Sequence, residues 1–343
     1  MKRLALLFLL LMAACSHPQP PGVTELIYAS PYPQNHNFSR ADQTWMRYVE
    51  KESGGTLRIR AIWSGGLLSA DQSMIELRHR LADIGLITPI YAKGGAHLMR
   101  VQAGFYTGAD TPRTQVELYH CMADVIPQFG KEMEGLKVLA VQGGTLPGIV
   151  TRDRPIRRLE DIRGLRIRAP TELLAVLKDL GADPVNMPMG DVYSAMAKGV
   201  IDGVVASAET FKALHFGEVA RHYAMLDVPR GAYPARAMNI ARWNSLSPSQ
   251  QALLDRSIAV WEAAIAHESQ TALEEGTKLA VQEGVSITDL GKEDRMRFRA
   301  LYERDAERNA AGLSRFGIDG LAALAVARAS VAPGNRIQCK DNS

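Results

Sequence analysis

Gly164-Leu165-Arg166-Ile167-Arg168-Ala169-Pro170 is the most telling stretch of the chain. From Leu165 to Arg168 apolar and cationic residues alternate, the period-two pattern of a short strand. Pro170 ends the run, because it has no N–H to give to a sheet. Thr171–Leu180 then has helical spacing and closes at Gly181, and Val192–Ala197 is a shorter helix closed by Gly199. Gly203-Val204-Val205-Ala206 is the next strand. Strand, helix, helix, strand in this order predicts an α/β unit with a mostly parallel sheet.

The same rhythm extends outward. Leu26–Ala29, Leu57–Trp63 and Ala82–Ile87 are strand patterns. Between them Asn37–Glu52 carries Phe38, Ala41, Trp45, Tyr48 and Val49 at helical spacing, and Ser73–Leu81 is also helical. Leu136–Val141, Gly148–Thr151, Tyr223–Val228 and Ala237–Ala241 add strands. The last third is nearly all helix. Ser247-Pro248-Ser249-Gln250 supplies an N-cap serine, a proline at the first helical position and a glutamine at the third. No glycine or proline follows until Gly276, so the helix runs beyond about 25 residues, long for a globular protein. It either braces two lobes or is a plain packing helix. A further helix spans Lys292–Leu313.

The 343 residues are 46% hydrophobic, 22% charged and 6% aromatic, a globular balance with enough chain for one large or two medium domains. A net charge of +3 excludes a strongly basic nucleic-acid binder. Met1-Lys2-Arg3, the apolar run Leu4–Met12 and Ala13-Ala14-Cys15 form an export signal. Its apolar part is far short of the roughly 20 residues a spanning helix needs. Small residues before Cys15 resemble a lipobox, so Cys15 is the expected lipidation site, and residues 15–24 form a Pro-rich tether. Cleavage removes Lys2 and Arg3, two of the three excess charges. Cys121 and Cys339 remain. They either pair in an oxidising compartment or are a buried small hydrophobe and a thiol in a frayed tail, the plainer alternative.

Motifs for nucleophilic, metal and nucleotide chemistry (GxSxG, HExxH, a Walker loop, GxGxxG after a strand) are absent from the sequence. What remains is a cation at the end of a short strand. Strand ends in α/β folds face crevices, where a guanidinium grips a carboxylate through paired hydrogen bonds. Alternation alone does not separate Arg166 from Arg168, which share a face.

Further pieces follow in order. They are Pro155-Ile156, Leu159-Glu160-Asp161 and 164–170; Leu180–Pro188; Asp191–Met196 with Gly199–Gly203; and Trp243–Pro248. Earlier come Val49-Glu50, Ser53–Leu57, Gly65-Gly66-Leu67 and Ala82–Gly85. Together, from about Glu25 to Gly320, they resemble the DctP-type solute-binding proteins of TRAP transporters. The resemblance implies a periplasmic binding-protein fold, with two α/β lobes, hinge strands and a long connecting helix. Residues 25–150 are then mainly lobe 1, 151–240 mainly lobe 2, 241–330 the long helix and C-terminal helices, and 331–343 a tail. It also implies a receptor rather than an enzyme, with no cofactor, that captures a small organic carboxylate and delivers it by closure to a membrane permease. The location implied is the periplasm, on a membrane through the N-terminal lipid.

Arg168 matches the family's carboxylate-binding arginine. Other positions depart from the sialic-acid-type members: Gly148 replaces a second arginine, Ala206 (beside Ser207) an asparagine, Thr88 an acidic residue and Met189 an aromatic wall. The expected cleft is therefore less polar and less cationic, suited to a monocarboxylate with an apolar body. Tyr233, Trp63 and Met187 either line it or belong to the core. A carboxylate sensor or a structural lipoprotein on the same fold is the alternative function.

Overall fold

The computed structural model describes residues 22–340; the signal segment, Cys15 and most of the tether lie outside the described residues. Two sheets organise the chain. The first has the order β2-β1-β3-β10-β4, with β1 (Thr24–Ala29), β2 (Leu57–Ile62), β3 (Ile84–Leu86), β4 (Leu136–Gln142) and β10 (Tyr233–Asn239). The second has the order β11-β9-β5-β8-β6-β7. Its strands are β5 (Gly148–Thr151), β6 (Arg166–Arg168), β7 (Asp183–Val185), β8 (Gly203–Ala206), β9 (His222–Met225) and β11 (Ser286–Asp289).

Two short segments, 143–147 and 226–232, carry the chain from one sheet to the other at the crevice, and the long helix carries it across again between β10 and β11. A strand that has just crossed runs away from the crevice, so it opposes neighbours that run toward it. Accordingly β5 is antiparallel to β8 and β9, and β10 is antiparallel to β3 and β4. The pairs β1–β2, β1–β3, β6–β7, β6–β8 and β9–β11 are parallel. This corrects two expected boundaries. β10 belongs to the first sheet rather than to a lobe ending at 240, and β11 is a second-lobe strand inside the segment expected to be helical. Both sheets thus present the ends of β4, β6 and β8 and the start of β10 to one crevice.

α1 (Asn37–Glu52) covers the first sheet, and its buried face carries Ala41, Trp45 and Val49 as the spacing predicts. The long helix α3 (Pro248–Gln282) starts with the expected capping box, in which the Ser247 hydroxyl accepts from the Gln250 N–H. Trp261 of this helix stacks on Trp45 with ring centroids 3.6 Å apart, and Trp45 Nε1 donates to Ser257 Oγ. Its far half lies on the second lobe, where a Cβ on Gly276 would sit 2.1 Å from the Ala208 carbonyl oxygen. The helix therefore braces both lobes, and Gly276 is a close-contact point instead of a stop.

Cys121, on α2 (Pro112–Val125), is joined to Cys339 across a Cα–Cα distance of 5.3 Å. The tail does not fray as the plainer alternative had it. A two-stranded hairpin, Val331–Ala332 with Arg336–Ile337, returns it to the helix, and the Ser330 hydroxyl accepts from the Lys340 N–H.

A candidate ligand-binding cleft

Arg166 and Arg168 share a face of β6 but differ in position along it. Arg166, at the start, is exposed and lies 3.3 Å from Asp183. Two residues on, about 6.6 Å along the strand, Arg168 reaches the crevice and is only 2% exposed. Its Nε donates to the Met187 carbonyl at 2.9 Å, and its Nη2 donates to the hydroxyl of Tyr91, which comes from the first lobe. No carboxylate lies within ion-pair distance of Arg168 among the described residues.

Around this guanidinium is a cavity of about 120 Å³. Tyr32, Phe38, Tyr91, Gln142 and Tyr233 line it from the first lobe; Glu172, Met189, Ala206, Ser207 and Glu209 line it from the second. Arg230, on the second crossing, also faces it. A Cβ on Gly144 would fall 2.5 Å from Arg230 Nη1, so the guanidinium rests directly against the Gly144 backbone.

Burial sets the protonation states. Glu172 is pushed up to about 7 by its enclosure, against the opposing pull of Arg230 and then Arg168. Burial also raises Glu209, with Arg230 opposing. One oxygen of each carboxyl is buried without a hydrogen-bond partner among the described residues. Tyr32 and Tyr233 are raised by burial and stay protonated at physiological pH. His36 is lowered to about 3 by burial, with Arg40 and Arg236 adding to it, so it is neutral.

Of the residues expected from sequence, Arg168, Met189, Ala206, Ser207 and Tyr233 meet at this cavity. Three do not. Thr88 follows β3 in the first lobe; its hydroxyl is occupied by the Ala70 carbonyl, and its N–H donates to Ser73 Oγ. Trp63 packs edge-on to Tyr28, at 5.5 Å, in the layer beneath α1 and α3. Gly148 opens β5, but a Cβ there would lie 2.2 Å from the Ala224 oxygen, so the position has no room for a side chain. Met187 touches Arg168 through its carbonyl, not its thioether. Arg230 adds a second guanidinium to the cavity wall that the sequence reading did not include. Tyr91, Glu172, Glu209 and Arg230 were missed. Glu172 follows the β6 strand by four residues and Arg230 is flanked by Pro229 and Gly231, which are faint signals; Tyr91 offers none.

Residues 29–311 match the family model described as bacterial extracellular solute-binding protein, family 7 (DctP). The chain belongs to this family. Its members are solute-binding receptors, not enzymes. The receptor is 31% identical over 174 residues to the 2,3-diketo-L-gulonate-binding periplasmic protein YiaO of Escherichia coli, covering 47% of this chain and 50% of that one. Its fold matches a TRAP solute-binding protein from Rhodoferax ferrireducens in complex with copurified benzoate. The TM-score is 0.81 at 23% identity, over 90% of this chain and 97% of that one. It also matches a marine-metagenome TRAP solute-binding protein specific for aromatic acid ligands, in complex with metahydroxyphenylacetate. There the TM-score is 0.80 at 23% identity, over 89% and 98%.

Proposed function

We propose that this receptor captures a small organic monocarboxylate with an apolar, ring-sized body and hands it to a TRAP permease as the cleft closes. Arg168 is the residue that binds the carboxylate. The observation that carries this is a guanidinium 2% exposed with no carboxylate partner among the described residues. A buried unpaired charge is costly, and a ligand carboxylate relieves that cost. Glu172 faces both guanidiniums, Arg230 more strongly, whereas Glu209 faces Arg230 alone.

Size points the same way. A cavity of roughly 150 Å³ accommodates benzene, and this one is of that order at about 120 Å³. Met189, Ala206, Phe38 and the tyrosine rings supply apolar contact; Ser207 offers one hydroxyl. Periplasmic location and anchoring through a lipid on Cys15 complete the proposal, resting on the N-terminal sequence.

Thermal-shift screening tests the ligand class. Benzoate, 3-hydroxyphenylacetate and branched keto acids are expected to raise the melting temperature. Stabilisation by hexuronates or diketo-gulonate alone would overturn it.

A further inference from the structure

Beneath the cleft lies a hydrogen-bond chain whose direction is forced by chemistry. Arg236 is fully buried and, as a guanidinium, can only donate. Its Nε donates to Asp42 Oδ1 at 2.8 Å, and its Nη1 donates to Gln142 Oε1. Asp42 is held in turn by Trp261 Nε1 at 2.9 Å and the Tyr28 hydroxyl at 2.5 Å. Because Gln142 must present its oxygen to Arg236, its other end is the NH₂, which donates to the Tyr233 hydroxyl oxygen at 3.2 Å. A phenol has one hydrogen. With its oxygen already accepting, Tyr233 is left with a hydrogen that no acceptor takes among the described residues. Tyr91 is in the same position on the other side, since it accepts from Arg168 Nη2. Both rings line the cavity.

We infer that Asp42 and Arg236 are positioning residues which, through Gln142, commit the Tyr233 hydroxyl to donate into the cleft. Tyr91, committed likewise by Arg168, completes a set of donors beside the free Arg168 Nη1. Such a set recognises a group that only accepts, a carboxylate, and disfavours an amide or alcohol in its place. This rests on the cleft being the ligand site, and it adds residues that do not themselves touch ligand. A site built to hydrogen-bond one group leaves its polar atoms unpaired with the wrong one, which is what makes such discrimination large.

Gln142→Glu is the diagnostic change. A carboxylate can still accept from Arg236 but cannot donate, so it takes the Tyr233 hydrogen for itself. Gln142→Met removes the donor without capturing that hydrogen. In the ligand-free protein, the ¹³Cζ resonance of Tyr233 is expected to move downfield in Gln142→Glu and not in Gln142→Met. With benzoate as the titrant, Gln142→Glu should weaken binding at least about tenfold, and by no more than about threefold when Tyr233 is already Phe. An unmoved resonance, or equal losses in both backgrounds, would overturn the relay. If benzoate does not bind the unmodified protein, the proposed ligand class fails, and the resonance alone decides the relay.

Discussion

Glu172 is one of two buried cavity carboxyls, with Glu209, through which pH acts on this cleft. Its ordinary value is 4.5, and enclosure lifts it to about 7. The folded protein therefore favours the protonated acid. The stabilisation linked to that proton is complete below about pH 4.5 and is lost as pH rises through about 7. Glu172→Gln, which cannot ionise, is expected to raise the melting temperature at pH 8 and to leave it unchanged at pH 4. An ionised Glu172 also competes with a ligand carboxylate for Arg168 and Arg230. Benzoate affinity should thus fall from pH 6 to pH 8 in the unmodified receptor and stay level in the variant; parallel pH profiles would contradict this. Alternation put Arg166 and Arg168 on one face, and the two differ only in distance along the strand, which sequence periodicity does not encode. Glu172, Arg230 and Tyr91 were illegible for a related reason. Each reaches the cavity from a different segment, and only the folded chain brings those segments together.

Among the elements, the helices were the most legible. The spacing in α1 and the capping box of α3 depend on neighbours within a few residues, so sequence carries them almost whole. Strand direction was not legible, because it depends on which lobe the chain has just left. Lobe membership at β10 depends on the crossing at 226–232 in the same way, and β11 is a four-residue, half-exposed strand between two long helices that carries little pattern of its own. Gly276 shows the difference between propensity and packing. Alanine favours a helix interior by about 1 kcal/mol over glycine. A Cβ at 276 would nonetheless sit 2.1 Å from the backbone oxygen of Ala208, which cannot rotate away. Overpacking typically costs about 1–3 kcal/mol, so Gly276→Ala should lower the denaturant midpoint. A raised midpoint would show that α3 and the second lobe are not in this close contact.

At the scale of the whole molecule, a net charge of +3 is too small for long-range attraction of an anion. Capture falls to a few groups placed between two lobes. Arg168 and Met187 come from the second lobe and Tyr91 from the first, so the hydrogen bonds around the guanidinium span the cleft that closure must seal. Three connections join the lobes: the short crossings 143–147 and 226–232 and the long helix. Four of the cavity's residues, Pro147, Pro229, Arg230 and Gly231, sit on the two short crossings, so the cavity wall and the lobe connections are the same segments there. Calorimetric titration of benzoate into the unmodified receptor and into Arg168→Ala addresses the central claim most directly. Losing a desolvated charge partner costs about 2–5 kcal/mol, a loss of roughly 30- to several-thousand-fold in affinity. Equal affinity for the two proteins would contradict the assignment of Arg168 as the residue that holds the ligand.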